Sequence, residues 1–236
     1  MSLYERELKL RSRDVDLYRR LRVSELFALL QEAAIAHTEA LGMGREKTLD
    51  RGLLWIVTMQ SAEIRRMPEY DETIRLFSWP GETMHLFFPR HYRIESETGE
   101  TLIRANALWM LVDQQSRRMV FPERYGIEIA GVTQSDELPL PSAPARLPTT
   151  EERAFRVPYS YVDLNGHMNN TRYFDLMEDC LPAAAEGRVL RSVRTEYTGE
   201  ARLGDTLTVR WGGQDGRWYL EGALEKPCFR MALEYE

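Results

Sequence analysis

Hydrophobic and polar positions along the 236-residue chain alternate between a helical period and a strand period, and that succession occurs twice. Leu26, Leu30 and Ala33 share one face at helical spacing, which predicts a helix over residues 24–41. Ser24 is its expected N-cap, and Gly42 its expected C-terminal stop. Ala33, Ala34 and Ala36 are small enough to let a sheet approach closely. Residues 4–16 before it read as a strand. After Leu53 the strand period takes over in residues 54–57, 73–77 and 90–95, then in alternating Ala105, Ala107, Trp109 and Leu111. A hairpin turn is expected at residues 97–100.

Residues 133–152 break this pattern with Pro139, Pro141, Pro144 and Pro148 among small polar residues, the composition of a semi-rigid linker. Beyond it the first unit repeats. Val162-Asp163-Leu164 matches Val15-Asp16-Leu17 at an offset of 147 (163 minus 16). Thr206-Leu207-Thr208 matches Thr73-Ile74-Arg75 at an offset of 133 (206 minus 73), so the second unit has a shorter path from helix to strand. A hairpin at residues 214–217 and an alternating strand of Phe229, Met231, Leu233 and Tyr235 complete it. The expected organisation is a first unit over residues 1–132, a linker over 133–152 and a second unit over 153–236.

The candidate chemistry lies where the second helix begins. Asp163, Asn165, Gly166, His167, Asn169 and Asn170 crowd into eight positions, a density that favours a turn. Phe174, Met177 and Leu181 then recur at helical spacing, so a helix is expected from Asn169 or Asn170. Backbone N–H groups of Gly166, Asn169 and Asn170 at a helix N-terminus would stabilise an oxyanion. Asn169 and Asn170 also suit plain capping. The repeat supplies an internal control, because Asn165 and His167 correspond to Tyr18 and Arg20, and only Asp163 keeps its type, as Asp16. A purely structural turn has less reason to differ in this way, so one active site, built mainly from the second unit, is expected.

Asp163-x-Asn165-x-His167-x-Asn169-Asn170-x-x-Tyr173 resembles the signature of the acyl-ACP thioesterases. The resemblance implies an α+β tandem (double) hotdog, each unit a long helix wrapped by an antiparallel β-sheet. It implies hydrolysis of fatty acyl-[acyl-carrier-protein] to free fatty acid, with the catalytic residues in the C-terminal hotdog. The N-terminal hotdog then serves as scaffold and acyl-chain pocket. It also implies a catalytic glutamate at Glu200, in a stretch similar to Glu196-Tyr197-Thr198-Gly199-Glu200-Ala201. Plant members carry a cysteine after that glutamate. Here the position is Ala201, which argues against a cysteine nucleophile. Glu200 or Asp163 would act as base on a water, with Asn165 and His167 positioning the water or the thioester. An acyl-CoA thioesterase of the same fold and a non-catalytic acyl-thioester sensor are the alternatives.

Composition narrows the setting. The apolar fraction of 43% is ordinary for a globular domain, and no apolar run is long enough to span a membrane. A net charge of −6 argues against a nucleic-acid partner. Cys180 and Cys228 match no metal spacing, so no metal or cofactor is expected and a cytoplasmic setting is simplest. Acyl carrier protein is acidic, which directs attention to Arg11, Arg13, Arg19, Arg20 and Arg22, and to Arg65 and Arg66, although a solvated charged face is the stronger reading for any one of them. His37 reads as a packed helix residue rather than a ligand. The tandem arrangement is compatible with a monomer or a homodimer.

Overall fold

A computed structural model describes residues 3–135 and 137–236. Ten antiparallel strands form one continuous sheet that wraps two helices. The first half contributes β1 (Tyr4–Lys9), β2 (Leu53–Ile64), β3 (Thr73–Pro80), β4 (Phe87–Ser96) and β5 (Thr101–Asp113) around α1 (Val23–Ala40). The second contributes β6 (Glu151–Arg156), β7 (Leu190–Tyr197), β8 (Thr206–Gln214), β9 (Arg217–Ala223) and β10 (Pro227–Tyr235) around α2 (Arg172–Cys180) and the short α3 (Pro182–Ala185). The sheet order is β1-β3-β4-β5-β2-β7-β10-β9-β8-β6, so the two halves mirror each other about the β2–β7 seam.

The seam makes the repeat visible in the backbone. Ser61 pairs with Arg194, and these are repeat-equivalent positions (194 minus 61 is 133), so the pseudo-twofold axis passes through that pair. Phe27 and Phe174, equivalent at the offset of 147, stack on each other at 4.1 Å and 7° where α1 meets α2. Both rings are fully buried in a core that runs continuously through the two halves. The α+β tandem hotdog expected from the sequence is the architecture present.

Several boundaries differ from expectation. β1 ends at Lys9, and residues 12–14 turn in a 3-10 conformation because Asp14 Oδ2 accepts the Arg11 N–H at 2.7 Å. Ser24 lies inside α1 and is buried. The cap position is Arg22, without a side-chain cap bond. Gly42 ends the helix with φ of +71°, as its lack of a side chain permits. The second helix starts at Arg172 rather than at Asn169 or Asn170, since Asn169 Oδ1 accepts from Thr171 N and Oγ1 at 2.9 and 2.8 Å and holds a turn there. The proline-rich segment carries no helix or strand among its described residues until β6 begins at Glu151. It packs along the sheet, where Asn106 Nδ2 donates to the Pro139 carbonyl at 2.6 Å and Trp79 Nε1 to Glu137 at 2.7 Å.

The halves differ most between helix and seam strand. Residues 41–52 of the first half form two 3-10 turns, whereas only 186–189 separate α3 from β7. This difference, together with a longer α1 and an earlier start of β2, lowers the offset from 147 to 133, and the longer segment has a use described below.

Candidate active site

Residues 163–167 form a tight loop closed by its own backbone. Asp163 N donates to the His167 carbonyl at 2.9 Å, Gly166 N to the Asp163 carbonyl at 3.0 Å, and Asn165 N to Asp163 Oδ1 at 2.8 Å. Gly166 sits at φ of +79°, the left-handed conformation such a turn requires. The loop of the first half repeats this design. Asp16 N meets the Arg20 carbonyl at 2.7 Å, Tyr18 N meets Asp16 Oδ1 at 2.8 Å, and Arg19 takes the left-handed position at +65°. An aspartate there holds the turn in both halves, which explains why Asp163 alone kept its type.

The loop delivers His167 to Glu200. Met168 N bonds the Ala201 carbonyl at 2.7 Å, so the two chain segments run side by side. His167 Nε2 lies 3.0 Å from Glu200 Oε2, with the imidazole 12% exposed and the carboxylate 40%. Arg117, from the turn after β5, completes the group. Its Nη2 lies 3.0 Å from each of the two His167 ring nitrogens and 3.3 Å from Glu200 Oε1. With the imidazole proton on Nε2, His167 donates to Glu200, and Nδ1 is the ring nitrogen left to accept from Arg117. Burial lowers the His167 pKa below its usual value, helped by Arg117 and Arg202 and opposed by Glu200 and Asp163. His167 is therefore the neutral partner near pH 7.

Arg117 was not among the residues singled out from the sequence. It belongs to the other half of the chain, and no motif spacing links it to His167. It occupies a left-handed position, φ +56°, where a hairpin turn ordinarily takes Gly or Asn. Asp113 holds that turn by accepting Ser116 N and Oγ, both at 2.7 Å.

The expected oxyanion cradle is only partly there. The N–H groups of Gly166 and Asn169 are bonded to the Asp163 and Tyr161 carbonyls, and the intended helix mouth begins two residues beyond Asn170. Asn170 is the one of the three whose N–H meets no acceptor among the described residues. Its carbonyl accepts from Tyr197 Oη at 3.0 Å. Asn165 is exposed at the edge of the open cleft instead.

Two cavities meet at this point. A polar cleft of about 390 Å³ is lined by Arg117, His167, Gly166 and Arg202. A largely apolar cavity of about 380 Å³ in the first half is walled by Leu53, Trp55, Phe88 and Trp109, and by Thr48 and Leu49 of the longer helix-to-strand segment. Leu54 and Asn165 line both. The equivalent loop of the first half is tied down, with Tyr18 Oη on the Ala185 carbonyl at 2.6 Å and Arg20 Nη1 on the Gly187 carbonyl at 3.1 Å. Of the arginines considered for docking, Arg13, Arg20 and Arg66 are engaged within the chain, Arg13 with Asp14 at 3.2 Å and Arg66 with Glu72 at 2.8 Å. Cys180 and Cys228 are buried free thiols outside the site. Among the described residues no group of three His, Cys, Asp or Glu side chains is arranged to hold a metal, and no helix is long and apolar enough to cross a membrane.

Comparison with known proteins gives one consistent answer. The model of the acyl-ACP thioesterase N-terminal domain matches residues 1–123, and that of the acyl-ACP thioesterase C-terminal domain matches residues 145–220. An acyl-[acyl-carrier-protein] hydrolase from chloroplasts of Cuphea viscosissima is 25% identical over 220 residues, covering 86% of this chain and 53% of that protein. The chain thus spans about half the length of the curated relatives it matches. In structure it is similar to an acyl-ACP thioesterase from Bacteroides thetaiotaomicron, with a TM-score of 0.85, 20% identity and coverage of 100% of this chain and 98% of the other. The 12:0-ACP thioesterase from Umbellularia californica is similar at a TM-score of 0.82 and 20% identity, with the same two coverages.

Proposed function

The chain belongs to the acyl-ACP thioesterase family, and from that premise we propose that it hydrolyses fatty acyl-[acyl-carrier-protein] to free fatty acid and carrier thiol. The observation that carries the proposal is the His167–Glu200–Arg117 group at a polar cleft that shares Leu54 and Asn165 with an apolar cavity. A thioester carbonyl in the polar cleft would leave its acyl chain running past Asn165 and Leu54 into the first half.

Glu200 is the proposed base. Its carboxylate takes a proton from water as the water oxygen attacks the carbonyl carbon. His167 orients that carboxylate through its Nε2–H, and Arg117 fixes the imidazole tautomer. The Asn165 amide and the Asn170 N–H donate to the developing oxyanion. Collapse of the tetrahedral intermediate breaks the C–S bond, and the proton held on Glu200 passes to the leaving thiolate. Asp163 holds the loop rather than acting as base, as Asp16 does in the half without the other groups. Gly166 serves through its backbone conformation and Asn169 as the turn-holding acceptor before α2. The domain division proposed is a scaffold and acyl-chain unit over residues 1–132, a linker over 133–152 and a catalytic unit over 153–236. The two free thiols agree with a reducing, cytoplasmic setting.

Release of free thiol from acyl-ACP and acyl-CoA substrates, by wild type and by Glu200→Ala, tests the proposal. Turnover on acyl-ACP well above that on acyl-CoA, and nearly abolished in the variant, is expected. Equal or higher turnover on acyl-CoA would move the assignment to coenzyme A thioesters. Binding without turnover would leave an acyl-thioester sensor.

A further inference from the structure

Glu39, Arg45 and Arg90 are the charged residues lining the apolar cavity, and of these Arg90 is the buried one, which a plain hydrocarbon pocket has no reason to hold. Arg90 on β4 is 4% exposed and lines the cavity, yet it has no carboxylate partner among the described residues. Its contacts are neutral acceptors on α1: Nη1 meets His37 Nδ1 and Nη2 meets Thr38 Oγ1, both at 2.8 Å. These occupy two of the five N–H donors a guanidinium carries. Buried charges are ordinarily paired, because removing an ion from water is costly unless other polar groups replace the water. Burial pulls the Arg90 pKa down, but an arginine stays charged under any ordinary condition. A cation is thus kept, at a cost, on the wall of the space proposed for the acyl chain.

Its depth is set by the sheet register. Arg90 pairs with Ala107 on β5, and Leu54, which lines both cavities, pairs with Val112. With two strand spacings and five residues between them, the two Cα atoms are roughly 20 Å apart. Arg90 therefore reaches the far part of a bound chain, not the thioester. A terminal methyl group placed there offers no acceptor to the guanidinium.

Resting on the thioesterase reading of the site, we infer that Arg90, with His37 and Thr38, forms a polar binding point for an oxygen atom on the distal part of the acyl chain. The substrate class is then a hydroxylated, oxo or carboxyl-ended acyl thioester rather than a simple alkyl one. Thr38 and His37 hold the guanidinium plane, and the remaining donors face the ligand oxygen.

The test compares kcat/KM for carrier protein loaded with a plain saturated chain and with chains of equal length carrying a hydroxyl at the terminal carbon or at one of the three carbons before it. Wild type is expected to favour at least one hydroxylated chain by about 10-fold or more, the usual worth of a hydrogen bond to a charged group, chiefly through KM. Arg90→Met is expected to lose that preference, and Arg90→Lys, which keeps a cation without the fork, to retain part of it. A wild type that hydrolyses the plain chain as well as every hydroxylated one overturns the inference and leaves the thioesterase reading standing. So does an Arg90→Met variant that keeps the preference. Absence of hydrolysis on all chains overturns the thioesterase reading itself, and this inference with it. Thermal melting of each variant separates loss of preference from loss of fold.

Discussion

Glu200 acquires its proposed chemistry from two neighbours that reach it from different halves of the chain. His167 comes on the loop before α2, and Arg117 on the turn after β5. Removing the carboxylate while keeping its shape, as in Glu200→Gln, is expected to lower kcat by about 10²–10⁴, with KM much less affected. An unchanged kcat in a steady-state thiol-release assay would rule Glu200 out as the base. Arg117 has a subtler signature. It is one of the charges that hold His167 below its usual pKa, so Arg117→Gln raises that pKa. His167 then protonates at higher pH, loses its acceptor nitrogen, and carries the acid limb of the kcat/KM profile upward with it. A limb that stays in place or moves down contradicts this role. Burial is the largest cause of the His167 shift, so the movement is a fraction of the total. Asp163 has a structural task besides its place in the motif, since Asp16 accepts the same loop N–H in the half that lacks the other groups.

Among the elements, the two helices pack across the halves over the hydrogen-bonded β2–β7 seam. Phe27 and Phe174 stack on the pseudo-twofold axis, so Phe174→Ala opens a cavity that both halves border and neither can fill alone. A loss of about 3–5 kcal/mol is expected in denaturant melts, and a loss below about 1 kcal/mol would show the interface to be plastic. Glu178 on α2 sits beside the start of α1, where Oε1 accepts the Val23 N–H at 3.4 Å. Burial raises its pKa to about 7, with Asp175 and Asp16 adding to the rise and Arg22 opposing it. The folded state then binds more protons than the unfolded one between the ordinary glutamate pKa and about 7, so stability falls as pH rises through that window. Glu178→Gln removes the penalty. It is expected to be more stable than wild type at pH 8 by about 1–3 kcal/mol, with the difference vanishing in melts near pH 4. An equal difference at both pH values contradicts the assignment.

At the scale of the whole molecule, gene duplication is legible as geometry. The same loop, a left-handed residue at the same place in it (Arg19 and Gly166) and the same bridge onward (Leu21 N to the Pro68 carbonyl at 2.8 Å, Met168 N to the Ala201 carbonyl at 2.7 Å) occur twice, and the proposed function gives the halves different work. The longer helix-to-strand segment of the first half walls the apolar cavity, while the second half supplies His167 and Glu200. The proposed function therefore depends on coupling across the seam. Because Arg117 and Glu200 serve one group, Arg117→Ala combined with Glu200→Ala is expected to lose no more activity than the worse single variant. Additive losses in kcat/KM would mean that they act separately. The sequence by itself determined the helix-then-sheet repeat, its two offsets, the Asp163–Asn170 turn and the asymmetry between halves. Periodicity, turn residues and motif spacing are local properties, written within a few residues of where they act. Helix ends were less legible, since Asn169 holds a turn through a side-chain bond that competes with the helix, and Ser24 is drawn into the core. Arg117 and Arg90 were decided by the tertiary structure alone. Their partners stand 50 or more residues away, and only strand register and the wrap of the sheet bring a hairpin arginine to His167 or a strand arginine to His37.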